Sequence, residues 1–286
     1  MQDQNTVYLR SDDQVSSVQN VLAGQHDKAL KYISEYAALS ALIYGTQCSP
    51  EISQCASSWT ALDLPVLCPC EGDQKGLGRS AFYKVDDGRV FVALVFRGTT
   101  HRFEDWFANF DWLTRWIPFT RSHYDHVIDN IEPSVQAITQ YLLAHQIAEN
   151  PAQICFSAMG HSLGGGLAQQ AGYASPHIET VFAFSPSPVT GARRIEATRR
   201  SKNSAGLKIY IIWEQGEVLS KLRFLAGVLM QLYRVFSFKP NQNPRVVQVR
   251  FNFVQDQGAV AQHSMQQLAH HMSTRQSQHR SDSQLG

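Results

Sequence analysis

The sequence predicts an α/β protein whose central sheet is mostly parallel and is covered by helices on both faces. Short β-rich runs recur along the chain, and stretches with apolar residues at helical spacing separate them. One of these runs, residues 152–160, has the character of a short buried strand. Strands that alternate with helices favour a parallel sheet, because each crossover helix packs on a face of that sheet.

The first predicted element is a helix over residues 27–44. Its apolar residues recur at helical spacing, Asp27 stands where an N-cap is expected, and Gly45 stands where the helix should stop. Residues 46–78 follow, and their content of Cys, Pro, Gly and Ser predicts an irregular segment.

The remaining elements follow this irregular segment. A β-hairpin is expected over residues 79–96, because two β-rich runs meet there at Asp87 and Gly88. A long helix is predicted over residues 127–148. Three more strand candidates are the runs 180–186, 207–213 and 245–254.

The chain is expected to form one main domain over residues 27–272. Its 286 residues suffice for one large α/β domain with a substantial core. Residues 1–26 are polar and are expected to be loose, and the polar stretch 273–286 predicts a disordered tail.

Composition and charge exclude several classes of protein. The net charge of +1 gives no overall attraction to nucleic acid, so no nucleic-acid partner is expected. The first residues, MQDQNTVYLRSDDQ, lack the basic start and apolar run of a Sec signal peptide. The sequence contains no window of 18 consecutive apolar residues, so a transmembrane helix is not expected. We therefore expect a protein made in the cytoplasm without a Sec signal.

The five cysteines leave two alternatives open. They are Cys48, Cys55, Cys68, Cys70 and Cys155. Four of them cluster within residues 48–70, which allows one or two disulfides in an oxidising compartment, whereas free thiols are expected in a reducing one. The spacing includes no CxxC pair, and no His, Cys and Asp cluster predicts a metal site.

Ser162 is the candidate nucleophile. It lies in the stretch FSAMGHSLGGGLAQQAGYA, residues 156–174, between Gly160 and Gly164. An apolar strand precedes it and a helix of small residues follows, so it is predicted to lie in a sharp strand-to-helix turn at the carboxyl edge of the sheet. The helix N-terminus would point partial positive charge at a developing oxyanion.

A serine nucleophile needs a base that is oriented by an acid. In this architecture the acid follows the serine along the chain, and the histidine comes last. Glu214 and Glu217 both follow a predicted strand, and His263 follows the final one. His270 and His271 lie in a helical run rich in Gln and His and are expected on the surface. Chain order alone leaves both glutamates open.

Five stretches carry a resemblance to a known family. They are VALVFRGTTHRFEDWFANFDW, GHSLGGGLA, FAFSPSPVTG, IYIIWEQGEVL and AQHSM. Together they resemble the class 3 lipases, which are α/β-hydrolases that act on acylglycerols and phospholipids. The resemblance runs from about residue 80 to about residue 270 and implies an α/β-hydrolase fold with a lid or cap segment.

The resemblance also implies roles for residues around the serine motif. Ser162 falls on the nucleophile of the family, while Thr99 and the backbone N–H of Leu163 fall on its oxyanion-hole donors. His161 is interpreted as a packing residue behind the nucleophile rather than a second base.

The acid and the base follow from the same resemblance. His263 falls on the histidine of the family, and Glu217 in QGEVLSK is the best match to its acid. The match departs from the family twice, since glutamate replaces aspartate and the usual proline is missing. Glu214 therefore remains the alternative acid.

Two apolar segments bear on the substrate. The first, residues 103–119, occupies the position of the lid or interface-binding segment of the family. Its aromatic candidates for lid or membrane contact are Trp106, Phe107, Phe110, Trp112 and Trp116. The second, residues 219–240, has an apolar helical face flanked by basic residues and is predicted to be a cap, a membrane contact or a core helix. Both favour long-chain lipids over small soluble esters.

The expected function is therefore hydrolysis of lipid carboxylic esters, as in a lipase or phospholipase A. It would use a Ser-Glu-His triad and a covalent acyl-enzyme, with no cofactor, and its membrane contact would be transient. A catalytically inactive lipid-binding protein and an acyltransferase with the same triad are the alternatives. Toxins delivered by contact-dependent bacterial secretion systems often have such cores. By analogy, we expect export to a target membrane and an inhibitory, immunity-type partner protein.

Overall fold

The centre of the fold is a mixed β-sheet. The computed structural model describes residues 6–9, 14–45, 48–67, 79–98, 112–187, 192–216, 244–253 and 261–285. Within these residues the strands are β1 (Thr6–Leu9), β2 (Gln14–Ser17), β3 (Thr60–Leu62), β4 (Arg79–Asp86), β5 (Arg89–Phe96), β6 (Ile154–His161), β7 (Ile178–Phe184), β8 (Lys208–Glu214) and β9 (Arg245–Phe251). They pair in the order β2-β1-β9-β8-β7-β6-β5-β4-β3.

Helices connect and cover these strands. The α-helices of the described residues are α1 (Val18–Leu22), α2 (Ile33–Leu42), α3 (Pro50–Cys55), α4 (Trp112–Ala144), α5 (Leu163–Ala174), α6 (Ala197–Gly206) and α7 (Met265–Leu285). A short 3₁₀ turn at Lys28–Tyr32 directly precedes α2, and another at Ala261–His263 lies one residue before α7.

The five central strands, β5 to β9, are parallel, and the strands at both ends of the sheet are antiparallel. Strands β5, β6, β7 and β8 lie side by side in chain order. Crossovers between parallel strands are right-handed. Connections that move from each strand to the next in the same direction across the sheet therefore place their helices on the same face. Helices α4 and α5 share a core with that face, and α6 packs against α5.

The other face of the sheet is covered by elements from both ends of the described chain. Helices α1, α2 and α3 pack there against α7. Their apolar residues join those of β7, β8 and β9 in a second core cluster. Helices therefore lie on both faces of a mostly parallel sheet, which confirms the predicted α/β fold class.

Several predicted elements agree closely with the structure. Strands β4 and β5 form the expected hairpin, and Asp87 and Gly88 at its turn have φ values of 50° and 69°. Such left-handed values at both central residues match the right-handed twist of the flanking strands. The strands predicted at 152–160 and 207–213 are β6 and β8, each displaced by one or two residues. The helix predicted over 127–148 begins earlier, since α4 starts at Trp112.

The two ends of the chain differ from the sequence-based expectation. Within the polar stretch 1–26, Val7 and Leu9 are buried in β1, and three residues of α1 are buried as well. The stretch expected to be a disordered tail continues α7 as a helix up to Leu285. A few well-spaced apolar residues suffice to order short elements when a sheet edge or a neighbouring helix completes their packing.

The predicted helix over residues 27–44 is divided into a 3₁₀ turn and α2. Asp27 is the N-cap, and its carboxylate accepts a 3.1 Å hydrogen bond from the backbone N–H of Ala29. The same carboxylate accepts bonds from Tyr210, at 2.6 Å, and Lys208, at 3.3 Å, both on β8. Asp27 therefore fixes the start of this segment on the sheet.

Replacing Asp27 with asparagine should destabilise the fold in a pH-dependent way. Burial raises the pKa of Asp27, but hydrogen bonds from Tyr210 and Ala29 and the charge of Lys208 outweigh it and hold the pKa below its ordinary value. Such a carboxylate stabilises the native state above its unfolded pKa of about 3.9, and this contribution is lost as the pH falls through the folded value.

We expect Asp27→Asn to lower the free energy of unfolding by about 1–2 kcal/mol near pH 7, because the amide keeps the cap but loses the charge. Urea unfolding at several pH values measures the difference, which should shrink as the pH approaches 3. A difference that stays constant over this range would contradict the assignment.

Two further properties concern the described residues as a whole. None of their helices combines the length and apolar character needed to cross a membrane. Cys48, Cys55 and Cys155 carry thiols rather than disulfides in this part of the chain, whereas Cys68 and Cys70 lie outside the described residues.

Candidate active site

Ser162 lies in the turn between β6 and α5, where the sequence places it. Its backbone has φ 57° and ψ −120°, a region that residues with a side chain rarely adopt. The strained turn is held by neighbours: the N–H of Ser162 donates to the oxygen of Phe184 at 3.0 Å, and the N–H of Ser187 donates to the oxygen of Ser162 at 3.0 Å. The end of β7 therefore fixes the conformation of Ser162.

The glycines on both sides of Ser162 are required by close packing. A Cβ atom added to Gly160 would lie 2.5 Å from the backbone oxygen of Phe96 and 2.6 Å from that of Gly164. A Cβ atom added to Gly164 would overlap the same Phe96 oxygen. The turn can therefore approach β5 only because these two positions lack side chains.

The N-terminus of α5 and the end of β5 meet beside Ser162. Leu163 is the first residue of α5, so the helix geometry leaves its N–H without an intrahelical partner. Gly98 follows β5, and a Cβ atom added to it would lie 3.5 Å from the Cβ of Ser162. Thr99, the other predicted oxyanion donor, lies outside the described residues, although the segment that leads to it reaches Ser162.

His263 lies near the serine motif. It ends the 3₁₀ turn Ala261–His263, and only 3% of its surface is exposed. Its ring lies against that of His161, with 4.6 Å between the ring centres, and its backbone oxygen accepts a 2.7 Å hydrogen bond from Nε2 of His161. The structure therefore brings the predicted base close to the residue that precedes Ser162.

The end of β8 contacts the segment that carries His263. Glu214 is the last residue of β8 and is 1% exposed. The turn after it continues to Gly216, where an added Cβ atom would lie 2.5 Å from Oε1 of Gln262. Glu217, the residue favoured as the acid, lies outside the described residues. Gly216 therefore lies against Gln262, the residue before His263, and Glu217 is the next residue along the chain.

His270 and His271, expected on the surface, are half-buried along α7. His270 forms a 3.0 Å hydrogen bond with Ser49 through Nδ1, and the ring of His271 stacks on Phe253 at 5.5 Å. Burial lowers the pKa of His271, and the nearby His270 and Arg275 lower it further. These contacts give both histidines packing roles.

Tyr44 is a site residue that the sequence analysis missed. It follows α2, and its hydroxyl accepts a 3.2 Å hydrogen bond from the N–H of Gly98 and lies 3.2 Å from Nδ1 of His161. Burial raises the pKa of Tyr44 to about 12. No local motif marks this tyrosine, because its partners are brought to it only by the packing of α2 on the sheet.

The predicted lid residues are only partly within the described structure. Trp106, Phe107 and Phe110 lie outside it, as does the second apolar segment, residues 219–240. Trp112 and Trp116 lie in the first turns of α4, where the structure describes the backbone alone. In the part of the chain with described side chains, no group of three or more His, Cys, Asp or Glu residues could hold a metal ion.

Comparison with known families identifies the class of this protein. The model of a phospholipase-like family, the Tle-like phospholipase domain, matches residues 35–232, more than half of the chain. The protein is therefore a lipid-hydrolysing α/β enzyme of the lipase and phospholipase class. Within that class, the chain belongs to the family of the Tle-like phospholipase domain.

This family assignment is broader than the resemblance to class 3 lipases, because the match supports a phospholipase or lipase family without that finer label. The matched region runs from α2 past β8 and includes Ser162 and Glu217, whereas His263 lies beyond it. No curated protein matches the chain.

Proposed function

We propose that this protein is a phospholipase A that cleaves a carboxylic ester of a phospholipid by nucleophilic catalysis at Ser162. The observation that carries the proposal is the strained turn of Ser162 between β6 and α5. Such a turn presents a serine hydroxyl at the carboxyl edge of a sheet and beside a helix N-terminus. The match to a phospholipase family favours phospholipid over triacylglycerol.

His263 is proposed as the general base and Glu217 as the acid that orients it. In the first step, Ser162 Oγ forms a bond to the ester carbonyl carbon while the imidazole of His263 takes the hydroxyl proton. The carboxylate of Glu217 holds the imidazole in the productive tautomer and stabilises its positive charge. The N–H of Leu163 and Thr99 donate hydrogen bonds to the tetrahedral oxyanion.

The second half of the reaction releases the acyl chain. The tetrahedral intermediate collapses, its bond to the leaving oxygen breaks, and His263 returns its proton to that oxygen as the lysophospholipid departs. A water molecule then attacks the acyl-serine while His263 accepts one of its protons. Release of the fatty acid regenerates the Ser162 hydroxyl. Each cycle consumes one water and one phospholipid and yields one lysophospholipid and one fatty acid.

The site of action and the partner are proposed by analogy with toxins that have lipase-type cores. The enzyme would be exported to a target membrane and would make transient contact with it. The aromatic residues of the 103–119 segment suit such contact, because Trp and Phe partition into the membrane interface. An inhibitory, immunity-type protein would protect the producing cell.

The proposal predicts equal molar amounts of lysophospholipid and fatty acid from phospholipid vesicles. The assay uses purified protein, vesicles whose phospholipids carry different acyl chains at the two positions, and triacylglycerol emulsions, with products quantified by mass spectrometry. Ser162→Ala is the matched control and should give neither product.

Other products would identify a different reaction. Diacylglycerol or a free headgroup would contradict ester cleavage of the A type, and acyl transfer to an added alcohol in preference to water would identify an acyltransferase. Vesicle binding with no product from either lipid would identify a lipid-binding protein.

A further inference from the structure

A chain of hydrogen bonds passes beside Ser162. The backbone N–H of Gly98 donates to the hydroxyl oxygen of Tyr44 at 3.2 Å. The same hydroxyl lies 3.2 Å from Nδ1 of His161, and Nε2 of His161 lies 2.7 Å from the backbone oxygen of His263. The chain thus connects four segments that are far apart in the sequence.

The last acceptor in this chain of hydrogen bonds determines the direction of each bond in it. The backbone oxygen of His263 can only accept, so Nε2 of His161 carries a proton. In the neutral imidazole Nδ1 is then the acceptor, and the hydroxyl of Tyr44 donates to it. The oxygen of Tyr44 remains available to accept from Gly98. A single neutral tautomer of His161 therefore accounts for all three bonds.

The close fit around Tyr44 depends on Gly98. A Cβ atom added to Gly98 would lie 2.6 Å from the hydroxyl oxygen of Tyr44 and 2.6 Å from the backbone oxygen of His161. The tyrosine therefore reaches His161 through space that any other residue at position 98 would fill. Because burial raises the pKa of Tyr44 to about 12, its hydroxyl keeps the proton that it donates.

The connected segments are those whose positions relative to one another matter for the proposed mechanism. Gly98 precedes Thr99, the proposed oxyanion donor, and His161 precedes the nucleophile. The segment of His263 carries the base and reaches the site from α7. Errors of about 1 Å in such an arrangement can cost about a hundredfold in rate.

Resting on the serine-hydrolase function proposed above, we infer that Tyr44 and His161 are positioning residues for catalysis. Tyr44 fixes the ring of His161, and His161 holds the backbone of His263 and, through Tyr44, the end of β5. Neither side chain exchanges a proton with the substrate. Their contribution is to set the distances between Ser162, its base and the oxyanion-hole segment.

The first test removes the hydroxyl of Tyr44. Tyr44→Phe should lower kcat about tenfold and leave KM within about twofold, since the role proposed for this residue is to position other groups and not to bind substrate; tenfold corresponds to about 1.4 kcal/mol. The matched control is Tyr210→Phe, which removes a buried hydroxyl that donates to Asp27 at 2.6 Å, away from the site. The control should lose stability and keep its kcat.

The second test separates the two ends of His161. Glutamine can place its amide near the position of Nε2 and keep the bond to the backbone of His263, whereas asparagine reaches only as far as Nδ1. We therefore expect His161→Gln to retain about tenfold more activity than His161→Asn, at similar thermal stability. Equal activity of the two variants would overturn the role assigned to the bond with His263.

A third measurement is independent of lipid hydrolysis. Nitrogen NMR of the histidine rings should show His161 as the neutral Nε2–H tautomer, and Tyr44→Phe should shift the ring resonances of both His161 and His263. Tyr210→Phe should leave them in place.

The two proposals fail in different ways. Unshifted rings, or an unchanged kcat in Tyr44→Phe with an active wild type, would overturn the positioning role. If Tyr44→Phe shifts the ring resonances but the wild type reacts with neither lipid nor a fluorophosphonate, the proposed function is overturned instead.

Discussion

Replacing Ser162 with alanine is expected to lower the turnover of phospholipid by about 10⁴-fold or more. Without Oγ the acyl-enzyme cannot form, and the oxyanion donors alone give only residual acceleration over water. The fold should survive, because alanine keeps the Cβ atom and the backbone bonds of residue 162 to Phe184 and Ser187 remain. Kinetics of lysophospholipid release, together with fluorophosphonate labelling, measure the loss. Retention of more than about 1% of the wild-type activity would remove Ser162 from the role of nucleophile.

Ser162→Gly provides a structural control for the same position. It should be as inactive as the alanine variant but more stable than wild type by about 1 kcal/mol, because glycine tolerates a φ of 57° with less strain. The gain is partly offset by the larger entropy of glycine in the unfolded chain. Thermal unfolding of the three proteins compares them directly. A glycine variant less stable than the alanine variant would argue against a strained turn.

Replacing Glu217 with glutamine is the change with the second largest expected effect, a loss of about 10³- to 10⁴-fold in kcat. The amide keeps the size of the side chain but no longer stabilises the imidazolium or selects the productive tautomer of His263. The position suits this role, since the turn after β8 passes against Gln262, the neighbour of His263.

Glu214→Gln is the matched control for this experiment. Glu214 is three residues earlier and buried at the end of β8, and we expect its replacement to change kcat less than about tenfold. Single-turnover kinetics with an activated ester separate acylation from lipid access. If the two variants exchange these phenotypes, the acid of the triad is Glu214.

The turn of Ser162 could be predicted from sequence because the residues that form it are consecutive, although β5 and the end of β7 pack against it in the structure. A buried strand, two glycines placed around a serine, and a helix of small residues follow one another within residues 154–174. The same holds for the hairpin, whose turn residues Asp87 and Gly88 specify the left-handed backbone that the structure has. In both places, the residue types that allow the turn stand next to one another in the sequence.

The parts that sequence analysis missed depend on contacts between distant segments. Tyr44 has no motif around it, and its partners Gly98 and His161 belong to other elements. Strand β1 was missed because it is short and pairs with β9, which is at the far end of the chain. Such pairing leaves no pattern within a window of ten or twenty residues.

The way the two ends of the chain cover one face of the sheet has a consequence for the order of assembly. The turn of Ser162 is made of consecutive elements, whereas His263 is brought in with α7, which packs on α2. The side chain of Gln266 on α7 donates to the backbone oxygen of Ala41 on α2 at 3.2 Å. Contacts between such distant segments form slowly, because a long loop must close first. We therefore expect the turn of Ser162 to form before His263, its proposed base, is in place, and a chain with α7 undocked to be inactive. Undocking one helix costs less free energy than unfolding the whole sheet. We therefore expect the protein to lose its activity before the sheet unfolds and to regain it only after the sheet has folded.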